Sequence, residues 1–179
     1  MVYILLADGF EEAEAIVPAD LLRRAGVQVA LVGVTGAQVT GAHGIAVACD
    51  LELPQAKDEP ELVMLPGGLG GVENLGASPA AMDLVRRTAQ AGRYVAAICA
   101  APSLLGKLGL LKGRKAVCYP GMEETMGADA QKGCSVVTDG KFITGEGPGA
   151  AFDFGLKLVE TLKGATAVAQ VSHDACWHH

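Results

Sequence analysis

The sequence predicts a doubly wound α/β fold, a mostly parallel sheet with helices on both faces, and three observations predict it. Apolar runs of strand length alternate with segments whose apolar residues recur at helical spacing, the pattern of strand–helix–strand units. Half of the residues are hydrophobic but only 4% are aromatic, so the core must be assembled from Ala, Val, Leu and Ile. The chain also holds 24 glycines, several directly behind an apolar run, where a strand must turn tightly into a helix. Its 179 residues suit a single domain spanning 1–179.

Val2 to Leu6 is a continuous apolar run and reads as the first buried strand. A helix follows, with Asp8 as cap and Glu11 three residues on in capping-box spacing. Ile16, Leu21 and Leu22 are expected to face inward, and Arg23, Arg24 and Gly26 to close it. Pro18 falls inside this pattern, so a kink is expected where the carbonyl of Glu14 loses its helical donor. Val27 to Val34 reads as the second strand. Gln38 to Asp50 combines turn glycines with the β-prone run Ile45 to Cys49, which fits an edge hairpin or an added strand. Glu61 to Leu65 is the next strand and runs into a glycine-rich turn, Pro66 to Gly71. Ser78 and Pro79, as N-cap and first helical residue, start a helix to about Ala91.

Tyr94 to Ile98 is a short buried strand, and Pro102 suits the first turn of a helix directly behind it. Lys115 to Tyr119 reads as another strand, and Gly121 to Met126 as a short helix or turn. Ser135 to Thr138, the Asp139-Gly140 turn and Phe142 to Thr144 give a hairpin. Gly145 to Ala151 then leads into a final long helix through Leu162.

The net charge of −6, with no basic block, argues against nucleic acid or an anionic membrane as partner and for small molecules or proteins. The uncharged span between Arg24 and Asp50 is interrupted by Gln28, Thr35, Gln38, Thr40, His43 and several glycines, so it reads as strands and turns, not as a membrane span. Cys49, Cys99, Cys118, Cys134 and Cys176 are odd in number and irregular in spacing, which implies free thiols in a reducing compartment. No signal peptide is evident, and the expected location is cytoplasmic.

Three turns should meet beyond the carboxyl ends of the strands, where doubly wound sheets bind ligands: Ala7 to Glu14, Pro66 to Gly71 and Cys99 to Pro102. Cys99 sits in the bend of a strand–turn–helix unit, the layout of a nucleophile elbow, beside a helix N-terminus that should ease ionisation of a thiol. A cysteine alone is more often a buried small hydrophobe, and only its position raises it to a candidate. Acids at a helix start offset its dipole, which accounts for Glu11 and Glu12 but leaves Glu14 surplus. Three residues beyond Glu11, it lies on nearly the same helix face and could point at Cys99, where it would survive best protonated. Gly67 and Gly68 could present N–H groups to an oxyanion, or be a plain tight turn. Neither a dinucleotide fingerprint nor a Walker loop is present.

A Cys–His pair would need His43, His173, His178 or His179 in the crevice, and none follows a core strand; His43 falls in a turn. Cys176-Trp177-His178-His179 fits no standard zinc spacing, so no metal site is expected. Tyr119, at the end of its strand, is placed to line the crevice.

Four motifs in order resemble the DJ-1/ThiJ/PfpI superfamily, most of all its DJ-1 branch. They are Ala-Asp-Gly-Phe-Glu-Glu-Ala-Glu at 7–14, Leu-Pro-Gly-Gly at 65–68, Ala-Ala-Ile-Cys-Ala-Ala-Pro at 96–102 and Gly-Pro-Gly-Ala-Ala-Phe-Asp-Phe at 147–154. The resemblance covers nearly the whole chain. It implies a flavodoxin-like sandwich, a homodimer, Cys99 as the reactive cysteine, Glu14 as the acid hydrogen-bonded to it, and Gly67, Gly68, Ala100 and Tyr119 on the oxyanion or substrate side. A histidine follows the cysteine in the PfpI protease-like branch; Ala100 stands there, so a peptidase is not expected. Tyr119 stands where DJ-1 itself has a histidine, and a Tyr is a poor base near neutrality. Glu146 stands where some members carry Arg.

Two functions follow from the resemblance. One is a cofactor-independent glyoxalase or deglycase, in which the Cys99 thiolate, assisted by Glu14, acts on a small dicarbonyl such as methylglyoxal or on its adducts. The alternative is a peroxide-responsive redox sensor or protective protein in which Cys99 is oxidised to sulfinate without turnover.

Overall fold

The computed structural model describes residues 1–56 and 59–178. The chain begins with β1 (Val2–Leu6), α1 (Glu12–Arg24) and β2 (Val29–Gly33), followed by the hairpin β3 (Gln38–Thr40) and β4 (Ala46–Ala48) and the short β5 (Leu51–Glu52). Next come β6 (Leu62–Leu65), α2 (Leu69–Gly76), α3 (Pro79–Gln90), β7 (Tyr94–Ile98) and α4 (Pro102–Lys107). The last third holds β8 (Lys115–Ala116), α5 (Glu123–Met126), β9 (Asp129–Ala130), β10 (Val136–Asp139), β11 (Phe142–Gly145), α6 (Ala151–Lys163) and α7 (Ala165–Asp174).

The main sheet has the order β10-β11-β7-β6-β1-β2-β5, parallel throughout except for the antiparallel β10–β11 hairpin. From β1 the chain first moves outward to β2 and β5, then returns to place β6 on the other side, with Val2 beside both Val29 and Leu62. That reversal opens a crevice between the loops that leave β1 and β6.

Strand alternation divides the core in two. Tyr3 and Leu5 face one layer with Leu75, Leu84, Val85, Leu104 and Leu105 from α2, α3 and α4. Val2, Ile4 and Leu6 face the other with Leu21, Leu22, Phe154, Leu158 and Val171 from α1, α6 and α7. Helices cover both faces, so every central strand is apolar along its whole length.

Several local expectations are corrected. No capping box forms before α1: its N-cap is Glu11 with no side-chain bond, because the Asp8 carboxylate instead accepts the Thr40 N–H (2.9 Å). Ile16 is 39% exposed and not inward. The segment from Lys115 to Tyr119 is strand only over β8, which pairs with β9 outside the main sheet. Its onward path is set by Val117 N–H donating to Thr144 Oγ1 (2.9 Å) and Tyr119 N–H donating to Cys99 O (2.9 Å). The glycine-rich turn behind β6 becomes helix α2 as early as Leu69, and α7 follows the helix expected to be last.

Helix α1 runs unbroken through Pro18 and crosses α6 at Gly155. A Cβ at Gly155 would stand 2.7 Å from Leu21 Cδ1 and 3.1 Å from the backbone Cα of Pro18, so the two helices meet only because no side chain intervenes. Gly155→Val should therefore lower stability by about 1–3 kcal/mol through overpacking, read as a reduced midpoint in urea unfolding.

Candidate active site

Cys99 follows β7 and takes φ of +64°, in the left-handed region that residues with a Cβ rarely adopt. Two bonds hold it there: its N–H donates to Gly145 O at the end of β11 (3.0 Å), and its carbonyl accepts the Tyr119 N–H (2.9 Å). The chain turns directly into α4, with Pro102 in its first turn. The sulfur is thereby lifted out of the strand at the carboxyl end of the sheet.

Glu14, fully buried on the first turn of α1, reaches the same point. Its Oε2 accepts the Gly67 N–H (2.7 Å) and its Oε1 has no hydrogen-bond partner among the described residues, while the Cys99 thiol lies close enough to act on the ionisation of this carboxyl. Gly67 explains how the two can meet. A Cβ there would lie 2.5 Å from Glu14 Oε2, 2.7 Å from Cys99 Cβ and 3.0 Å from its Sγ. The Gly67 N–H is therefore spent on the carboxylate side, and it is the N–H groups of Gly68 and Ala100 that face the sulfur.

Burial pushes the Glu14 carboxyl up to about 7, despite the opposing pull of Cys99 and the Gly67 N–H. Burial, then the charge of Glu14, pushes the Cys99 thiol up to about 12 against the pull of the Gly68 and Ala100 N–H groups. This reverses the easier ionisation expected beside a helix end, because burial and the charge of Glu14 outweigh the N–H groups that face the sulfur. The repulsion vanishes once Glu14 is protonated. At and just above neutrality the resting pair therefore keeps its proton on the thiol, and the thiolate forms when that proton passes to the Glu14 carboxylate.

A cleft of about 750 Å³ opens over Cys99, lined by Gly68, Ala100, Tyr119, Met122 and Pro148 and by Glu11 and His43. Tyr119 is 48% exposed on its wall. Glu146 lines a neighbouring hollow with Pro148 and Gly149. His173 and His178 lie in the exposed C-terminal region, where Trp177 stacks on Phe152 (centroids 4.1 Å apart), and His179 is outside the described residues.

His43 and Glu12 are the residues that sequence reasoning missed. The turn between β3 and β4 folds over the start of α1, and Glu12 Oε2 lies 2.9 Å from His43 Nδ1. No local spacing could reveal this, since the two residues are 31 positions apart and meet only through the docking of a hairpin. Glu11, Glu12 and His43 also bring three potential metal-binding atoms within 4.8 Å of one another. Burial alone would raise Glu12, but the His43 ring and the N–H groups of residues 12, 43 and 45 outweigh it and hold the carboxyl at about 2.

The sequence model of the DJ-1/PfpI family matches residues 1–161. Among individual relatives, the Drosophila melanogaster protein dj-1beta is 40% identical over 173 residues, covering 94% of this chain and 92% of that one. A Caenorhabditis elegans relative named glutathione-independent glyoxalase DJR-1.2 is 34% identical over 176 residues, covering 97% and 94%. The crystal structure of Drosophila melanogaster DJ-1beta superposes with a TM-score of 0.95 at 38% identity, covering 99% of this chain and 98% of that one. A Toxoplasma gondii DJ-1 structure described as oxidized gives 0.94 at 31% identity, with coverage of 99% and 98%.

The raised Glu14 carboxyl makes a signed prediction. Its folded-state value lies above the ordinary 4.5, so its contribution to stability is complete below pH 4.5 and is lost as pH rises through about 7. A rise of that size corresponds to about 3 kcal/mol. Glu12, held at about 2, acts in the opposite window: its stabilisation is present above pH 4.5 and is lost as pH falls through about 2. Urea unfolding of wild type and Glu14→Gln from about pH 4.5 to 8 should show the wild type losing about 3 kcal/mol relative to the variant.

Proposed function

The chain belongs to the DJ-1/PfpI family, and on that premise we propose that it is a cysteine-dependent glyoxalase or deglycase acting on small dicarbonyls such as methylglyoxal or on their adducts. The observation that supports this reading most is the buried Glu14 carboxyl, poised to give and take a proton near neutrality beside the Cys99 sulfur. One relative carries the name of a glutathione-independent glyoxalase, which agrees with it.

The chemistry starts when the Cys99 thiol passes its proton to the Glu14 carboxylate, giving the thiolate beside a protonated Glu14. Sγ attacks the aldehyde carbon C1, the carbonyl π electrons move to its oxygen, and that oxygen takes the Glu14 proton, giving a hemithioacetal. The Glu14 carboxylate then removes the proton from C1, and the electron pair forms a C1–C2 double bond while the C2 carbonyl electrons move to its oxygen. The same proton returns from Glu14 to C2, the C1 hydroxyl gives up its proton while the C2 oxygen gains one, and C1 becomes the thioester carbonyl. Water attacks C1 and gives a proton to the Glu14 carboxylate, the Cys99 thiolate leaves, and a 2-hydroxy acid is released with Glu14 again protonated. The Gly68 and Ala100 N–H groups support negative charge at sulfur and at the adjoining oxygen. These steps draw on no metal or organic cofactor.

A homodimeric assembly and a cytoplasmic location belong to the same proposal; among the described residues no helix is long and apolar enough to cross a membrane. One observation favours the redox alternative: the N–H groups that face the sulfur would also bind the oxygens of a sulfinate formed by two equivalents of peroxide.

The test is lactate formation from methylglyoxal without added glutathione or metal. Cys99→Ser should abolish turnover, and Glu14→Gln should lower kcat by about 100-fold or more. A folded wild type that forms no lactate, and whose Cys99 instead takes up peroxide oxygen stoichiometrically, would replace this reading with the redox one.

A further inference from the structure

Isomerisation of the hemithioacetal moves two oxygen protons that Glu14, occupied at carbon, does not carry: one must reach the C2 oxygen and one must leave the C1 oxygen. Resting on the glyoxalase reading, we infer that His43, oriented by Glu12, is the second proton-transfer group of the cleft. His43 lines the same cleft as Cys99. Glu12 Oε2 sits 2.9 Å from Nδ1, and Glu12 Oε1 accepts the backbone N–H of His43 (2.8 Å), so one carboxylate fixes both ring and main chain. The Glu12 side chain is only 10% exposed, whereas the imidazole is 68% exposed. With Nδ1 engaged by Glu12, Nε2 is the nitrogen left for substrate.

The supporting turn is clamped to the start of α1. The Gly9 N–H donates to Thr40 O and the Ala42 N–H to Phe10 O, both at 2.8 Å. A Cβ at Gly41 would stand 2.3 Å from the Glu12 carboxyl and would displace it from His43. The titratable groups around the ring are Glu12, Glu11 with Oε2 at 3.7 Å, and Cys99 and Tyr119 elsewhere in the cleft lining. The hydrogen bond to Glu12, then the charges of Glu11 and Glu12, raise the imidazole above its ordinary value.

In the enolisation step, as Glu14 removes the C1 proton, the C2 oxygen takes the proton from His43 Nε2, and the product is a neutral enediol. As Glu14 returns its proton to C2, the hydroxyl on C1 gives its proton to neutral His43 and the C1–O bond becomes the thioester carbonyl. Both residues end as they began. Glu12 is a positioning residue in this scheme.

The experiment compares methylglyoxal turnover by wild type, Cys99→Ser, His43→Gln, Glu12→Gln and His43→Gly, the last with and without added imidazole. His43→Gln is expected to lose about 100-fold or more in kcat with KM little changed, while still consuming its Cys99 thiol on mixing with methylglyoxal. Imidazole should restore turnover to His43→Gly, and Glu12→Gln should move the basic limb of the kcat–pH profile downward. A His43→Gln rate within about threefold of wild type, or no rescue by imidazole, overturns the role of His43 and leaves the Cys99 chemistry standing. A wild type no more active than Cys99→Ser overturns the glyoxalase reading and this inference with it.

Discussion

One pairing governs the architecture of this site: a fully buried carboxyl beside a thiol. Desolvation is the leading effect on both Glu14 and Cys99, and it would be a pure cost if each group met it alone. Together they can share a proton, so the burial that penalises two charges stabilises one charge and one donor. Gly67 makes the pairing possible by contributing a backbone N–H and no side chain to the narrow space between them. The position is thus defined as much by a missing methyl group as by the two reactive groups.

Sheet topology delivers these parts from distant stretches of chain. Glu14 comes from the helix after β1, Gly67 from the loop after β6 and Cys99 from the turn after β7, and those three strands are adjacent in the sheet. The parallel registers align their carboxyl ends, with Ile4 beside Met64 and Leu65 beside Ala97. Apolar burial on both faces keeps those registers from slipping, since a shift of one residue would exchange the two core layers.

How much of this was legible in the sequence depended on whether the signal was local. The apolar runs of β1, β6 and β7 announced themselves, as did the Ser78-Pro79 helix start, where the Ser78 side chain accepts the Ala81 N–H at 3.3 Å. The elbow at Cys99 could be placed from a strand ending one residue before it and a proline three residues after. What failed were features set by tertiary partners. Asp8 looks like a helix cap until a hairpin N–H competes for its oxygen, and Lys115 to Tyr119 looks like a core strand until Thr144 and Cys99 claim its N–H groups. His43 lies in a turn, and only the docking of that turn on α1 carries it to the cleft.

The positive φ at Cys99 has a bearing on how the protein would lose activity. A non-glycine residue in this region carries of order 1–3 kcal/mol of strain, sustained here by hydrogen bonds from two separate segments, one at Gly145 and one at Tyr119. If either segment loosens, the backbone of the elbow relaxes first, and the sulfur swings away from Glu14 while the rest of the sheet is still intact. Gentle heating or dilute denaturant would then silence the site through a small, local and reversible opening, well before the cooperative melting of the core.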